Sequence, residues 1–80
     1  MKILISITQD LKAAKDTLSA QYKGLGTSTE AGPFKTRDEA LNWQNFMMNR
    51  RDNYVEIKTP SPPTSEAHWF GITVESPEIN

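Results

Sequence analysis

The chain has no cysteine among its 80 residues, and this absence excludes disulfide bridges and thiolate chemistry. Because a chain without cysteine suits a reducing compartment, we expect a cytoplasmic protein. Long apolar runs are missing as well. The start, MKILISIT, is too short for a signal peptide or a membrane span, since it is followed at once by Gln9 and Asp10. We therefore expect no association with a membrane.

The sequence also lacks an excess of charge of either sign. Nine Lys and Arg residues stand against ten Asp and Glu residues, which leaves a formal net charge of -1. A chain with this balance has no global field that would concentrate nucleic acid or an anionic membrane. Any binding of that kind has to come from a local group of cations.

Patterns that support catalysis or metal binding are likewise missing. His68 is the single histidine, so neither a Ser-His pair nor a histidine-based metal site has partners at a recognisable spacing. The carboxylates are scattered, and no pair of them suggests matched acid and base roles. We expect a non-enzymatic protein with no catalytic residue, no metal site and no cofactor.

Apolar residues are present, but there are few of them. They make up 36% of the chain, and a chain this short buries only about 60% of its unfolded surface. We expect one domain over residues 1–75, followed by a flexible tail at 76–80. A thin core on a short chain is often completed by a partner, so we expect a protein partner or self-association, with a homodimer as one form of it.

The N-terminal third predicts a strand followed by a helix. Residues 2–8, KILISIT, are β-branched and place their three isoleucines on one side, which predicts a strand. In QDLKAAKDTLSAQYKG the apolar residues recur every three or four positions, which predicts an amphipathic helix. We expect Thr8 to be its N-cap, Asp10 to lie in its first turn and Gly24 to provide its left-handed stop.

The stretch GPFKTRDEALNWQNFMMNRR carries the start signal of a second helix. Thr36 followed by Glu39 is a capping box. In it the Thr36 hydroxyl accepts a hydrogen bond from the backbone amide of Glu39, and the Glu39 carboxylate accepts one from the backbone amide of Thr36. We predict a helix from Arg37 to Arg51, with Asn53 as a left-handed cap. Its apolar face is wide, so it contacts either several elements of the same chain or a partner. The residues of that face are Ala40, Leu41, Trp43, Phe46, Met47 and Met48.

The fragment GPFKTRDEA resembles the phenylalanine-turn-helix entry of two families, the sporulation-related peptidoglycan-binding repeats and the arm-binding domains of phage integrases. The resemblance is confined to this fragment, and the order of elements around it departs from both families. Since capping accounts for the same residues without common descent, we assign the chain to neither family.

Two further strands are predicted in NYVEIK and HWFGITVES. We expect them to form an antiparallel hairpin across the proline-rich loop 59–67, which would place Tyr54 and Trp69 together on an outer face, away from the isoleucines. The loop either covers Trp69 or leaves it free for a partner. The side chains expected to point inward are Val55, Ile57, Phe70, Ile72 and Val74.

Together these elements predict an α+β fold in the order β-α-(β)-α-β-β, a two-layer sandwich with both helices on the isoleucine face of a mainly antiparallel sheet. The sheet has three strands, or four if residues 27–31 form a short edge strand.

For function we expect a small protein-interaction or regulatory module. The alternative is a nucleic-acid-associated accessory protein that uses Arg37, Arg50, Arg51 and Trp69. The candidate partner-binding residues are Tyr54, Trp69, Phe46, Arg50, Arg51 and Arg37.

Overall fold

The structure is a computed structural model, and it describes residues 1–59 and 67–77. The described residues form one four-stranded sheet and two helices, which confirms the predicted α+β class and element order. The strand left open at residues 27–31 is present, but it covers Ser28–Phe34. β4 extends to Ser76, one residue into the stretch assigned to the tail. The elements are β1 (Lys2–Thr8), α1 (Leu11–Gln21), β2 (Ser28–Phe34), α2 (Arg37–Arg50), β3 (Tyr54–Glu56) and β4 (Trp69–Ser76).

The strands lie in the order β2-β4-β1-β3, so β1 and β4 are central. β4 pairs antiparallel with both β1 and β2, whereas β3 pairs parallel with β1. The predicted β3–β4 hairpin is therefore wrong, because β1 lies between the two strands. Adjacent residues Leu4 and Ile5 are each 1% exposed, so β1 is buried on both faces, as a central strand must be.

The register divides the sheet into two faces. Leu4 pairs with Val74 and Ile5 with Thr73, and directly paired residues point to the same side of a sheet. The even-numbered residues of β1 and β4 therefore share one face, which we call the even face. Their odd-numbered residues share the other, which we call the odd face. Since Tyr54 pairs with Ile3, the even-numbered residues of β3 lie on the odd face.

α1 packs on the even face. Leu18 is 2% exposed and clusters with Leu4, Ile72 and Val74, which are also buried. Four of the five predicted inward residues, Val55, Ile57, Ile72 and Val74, belong to this core, whereas Phe70 does not. The core is built on Leu4 rather than on the three N-terminal isoleucines. Partly buried side chains complete it, namely Leu11, Tyr22, Leu25, Val55 and Ile57.

α2 packs on the odd face. A Cβ built on Gly71 would lie 2.2 Å from Cζ3 of Trp43, so the indole occupies the space above this glycine. Gly71 pairs with Ile7, which identifies the face as that of the isoleucines. The ring of Trp43 also lies 6.0 Å from that of Phe34, at the entry to α2.

The expectation that both helices share one face is therefore wrong, and so is the placement of Trp69 away from the isoleucines. The error came from treating β1 as one-sided, because its even positions include Leu4 as well as polar Ser6 and Thr8. All of these side chains are buried, so both faces of β1 need cover. One helix on each face satisfies that need.

The helix termini follow the predicted chemistry with shifts of a residue or two. The N-cap of α1 is Asp10, which accepts the amide of Ala13 at 3.0 Å, and Thr8 instead accepts the amide of Asp10. Gly24 has a φ of 66°, as expected for the left-handed stop. After α2 the prediction fails, because every non-glycine residue described, Asn53 included, has negative φ.

The capping box of α2 is present in a modified form. Thr36 Oγ1 accepts the amide of Glu39 at 3.1 Å, as predicted. The Glu39 carboxylate accepts the amide of Lys35 at 3.0 Å rather than that of Thr36. Both bonds satisfy amides that would otherwise lack a partner at the entry to the helix.

Replacement of Gly71 tests the packing of α2 on the sheet. We expect Gly71→Ala to lower the free energy of unfolding by about 1–3 kcal/mol, because the new methyl group overlaps the ring of Trp43. Gly26→Ala is the matched control, since its Cβ meets the movable carboxylate of Glu75 at 3.0 Å. Urea denaturation measures both; equal losses in the two variants would contradict this packing.

Replacement of Thr36 tests the start of α2. We expect Thr36→Ala to cost about 1 kcal/mol, whereas Thr36→Ser retains the hydroxyl and most of the stability. The midpoint of thermal unfolding, followed by circular dichroism, distinguishes the two variants. A serine variant as unstable as the alanine variant would show that the cap does not act through its oxygen.

Candidate functional site

The predicted partner-binding residues do not form one patch. Arg37 lies at the beginning of α2, and Arg50 and Arg51 lie at its end. Phe46 lies on its outer surface. Tyr54 and Trp69 begin β3 and β4 and lie on the odd face.

Tyr54 and Trp69 share a face, as predicted, but they are not neighbours. Tyr54 pairs with Ile3, and Ile3 pairs with Glu75 near the far end of β4 from Trp69. β1 also separates the two strands. The expected aromatic patch therefore does not form, and both side chains are half-buried.

The Trp69 ring is partly covered by α2. Cζ of Arg37 lies 6.0 Å from the ring centroid, within the range of a cation–π contact. Such a contact contributes about 0.5–1 kcal/mol at exposed sites. Whether the proline-rich loop also covers Trp69 concerns residues 60–66, which lie outside the described residues.

The outer surface of α2 carries an exposed aromatic residue. Phe46 is 62% exposed, and Cζ of Arg50 lies 5.6 Å from its ring centroid, one helical turn further along. Three asparagines on the same helix, Asn42, Asn45 and Asn49, are also exposed. We call these five residues the outer face of α2. Sequence reasoning named Phe46 and Arg50 but missed the asparagines.

A cavity of about 240 Å³ lies on the inner side of α2, toward the β3 edge of the odd face. Its apolar walls include Ile7, Leu41 and Trp69. Sequence reasoning could not have found it, because its walls come from four separate elements, and the position of β3 beside β1 was not predicted.

Polar groups converge on the same cavity. Arg37, Lys58 and Glu56 line it, and the side chains of all three are exposed at its mouth. Deeper in the cavity, Gln44 is only 3% exposed. Ser6 Oγ and Thr59 Oγ1 form a hydrogen bond of 3.0 Å at its edge.

Other charged contacts lie away from α2. Lys12 and Asp16 form an exposed ion pair on α1, and the hydrogen bond to Asp16, followed by its charge, raises the pKa of Lys12. Lys15 and Glu30 form a second ion pair, which joins α1 to β2. None of the residues in these two ion pairs lines the cavity.

Within residues 1–59 and 67–77, no group of three or more His, Asp or Glu side chains is arranged to hold a metal ion. In the same ranges, neither helix has the length and apolar character needed to cross a membrane. Comparison of this chain with protein-family models, curated proteins and solved structures found no match.

The contact between Arg37 and Trp69 can be tested by labelling both tryptophans with 5-fluorotryptophan. We expect Arg37→Ala to move the Trp69 fluorine resonance and to increase its solvent isotope shift, because the ring loses its cover. Arg50→Ala is the matched control and should leave both resonances in place. An unmoved Trp69 signal in the Arg37→Ala protein would contradict the contact.

Proposed function

We propose that this protein is a small non-enzymatic protein-interaction module that binds its partner through the outer face of α2. The observation that supports this proposal is the exposure of Phe46, at 62%, beside the Arg50 guanidinium. Aromatic and arginine side chains are among the residues enriched at protein interfaces.

The asparagines around Phe46 support the same proposal. Asn is less favourable than Ala in a helix by roughly half a kcal/mol per residue, and α2 carries Asn42, Asn45 and Asn49 on its solvent side. Such residues do not stabilise the helix. They provide amide donors and acceptors on the exposed side of the helix that also carries Phe46, where they can bond to a partner.

The partner's chemistry follows from these side chains. Phe46 requires an apolar pocket, and Arg50 requires acceptors near the rim of that pocket, either carboxylates or main-chain carbonyl groups. Arg51 follows Arg50 in the chain and is also exposed. It adds a second cation, which likewise requires acceptors on the partner. We therefore propose a protein partner with an apolar groove bordered by acidic residues.

A nucleic-acid partner is less well supported. The Trp69 ring, which would have to stack on a base, already has the Arg37 guanidinium above it. The net charge of -1 supplies no general attraction. A mobility-shift assay separates the two proposals, because binding to nucleic acid weakens steeply as salt rises.

Site-specific photo-crosslinking tests the proposed interface. We expect a benzophenone amino acid at position 46 to crosslink a discrete protein, and the same group at exposed Ala20 on α1 to give no such product. The crosslinked partner is then purified and its affinity measured. Phe46→Ala should weaken binding by roughly tenfold or more, as expected for a central anchor.

The control for that measurement is Ala20→Ser, which should leave the affinity unchanged. Sedimentation over a concentration series shows whether the partner is a second copy of the chain. Equal affinity of the native protein and the Phe46→Ala variant would contradict the proposed interface.

A further inference from the structure

The cavity beneath α2 is independent of the proposed interface, because it opens on the inner side of the helix. Its volume of about 240 Å³ is below the range of about 300–1,000 Å³ that is typical of pockets for drug-sized ligands and cofactors. The part of a ligand that the cavity itself encloses is therefore small, and a small molecule matches it best.

Gln44 gives the cavity a polar group on its inner side. Its side chain is 3% exposed and lines the cavity, and its carboxamide makes no hydrogen bond with any other described residue. The amide atoms are not among the fully buried polar atoms that lack a partner in the described residues, which are Asn53 Oδ1 and Ser76 Oγ, so the carboxamide opens onto the cavity. It offers a donor and an acceptor to a polar group bound there.

The charges at the mouth are of both signs. Glu56 and Lys58 are two residues apart and point to the same side of the edge strand and its extension, which places their Cα atoms about 7 Å apart. Neither forms an ion pair with another described residue, and the same holds for Arg37. The mouth therefore offers cations for an anionic group and a carboxylate for a cationic one.

The apolar walls of the cavity indicate the character of the rest of the ligand. Ile7, Leu41 and Trp69 supply apolar surface to the same cavity. They suit an aliphatic or aromatic body of modest size, which would displace water from the indole and the two aliphatic side chains.

We propose that this cavity binds a small zwitterion of the free α-amino-acid class with an apolar side chain. The ligand carboxylate pairs with Lys58 and Arg37, and its ammonium group pairs with Glu56. The carboxamide of Gln44 bonds to the head group, and the apolar side chain lies against Trp69. No chemical step is involved, because the proposal is one of binding alone.

Titration of the full-length protein with L-leucine and L-phenylalanine tests this proposal, followed by amide chemical shifts in NMR spectra. Two matched analogues accompany L-leucine: N-acetyl-L-leucine, which lacks the ammonium group, and isopentylamine, which lacks the carboxylate. We expect at least one amino acid to bind with a dissociation constant of about 1 mM or tighter, with shifts centred on Gln44, Lys58 and Trp69. Each analogue of L-leucine should bind at least tenfold more weakly than L-leucine itself.

Variants at the mouth complete the test. Glu56→Gln and Lys58→Gln are exposed changes that leave the fold intact, and each should weaken binding of the amino acid roughly tenfold. Lys12→Gln, on the solvent side of α1, should leave it unchanged. The proposal is overturned if neither amino acid produces saturable shifts, if N-acetyl-L-leucine binds as well as L-leucine, or if the mouth variants bind like the native protein.

Discussion

The position of α2 depends on one contact, the indole of Trp43 lying over Gly71. A side chain at position 71 would occupy the place of the ring, since its Cβ would stand 2.2 Å from the indole. Glycine in a central strand lowers strand stability, so its presence in β4 is explained by the close approach of another group. The ring fixes α2 on the odd face, and Phe34, 6.0 Å away, holds the start of the helix to the same place.

This contact gives the two sides of α2 different roles. Its inner side buries Ala40 completely and holds Trp43 and Gln44 against the sheet. Its outer side therefore faces solvent, with Phe46 in the middle. The cavity lies where the N-terminal half of the helix meets the β3 edge, because the short strand there leaves the odd face incompletely covered.

Local patterns in the sequence predicted the elements well. The capping residues located α2 to within a residue, and the period of apolar side chains located α1 and the strands other than β2, which the sequence left open. These features depend on neighbours in sequence. The fold class and the order of the elements follow from them directly.

The arrangement of the elements was harder to predict. The hairpin expectation failed because β4 pairs with β1 and β2 rather than with β3, and nothing in the local pattern specifies that choice. Leu4 was the available signal. An apolar residue among the polar positions of β1 indicates a strand covered on both faces, which requires one helix on each.

The positions of the candidate site residues were hard to predict for the same reason. Trp69 was placed on an outer surface, but it lies beneath α2 with Arg37 above it. Phe46 was placed on a wide apolar face and is in fact the exposed aromatic residue of the helix. Helical spacing gives the angle of each side chain about the axis, but which angle faces the sheet is decided by Trp43 and Gly71, two residues from different elements.

The most direct test of this account is the environment of the Gly71 α-protons in the NMR spectrum of the protein. The account predicts that they are shifted upfield by the ring current of an indole and show nuclear Overhauser effects to the ring protons of Trp43. Random-coil shifts for Gly71, together with contacts from Trp43 to Leu4 or Val74 on the even face, would contradict it.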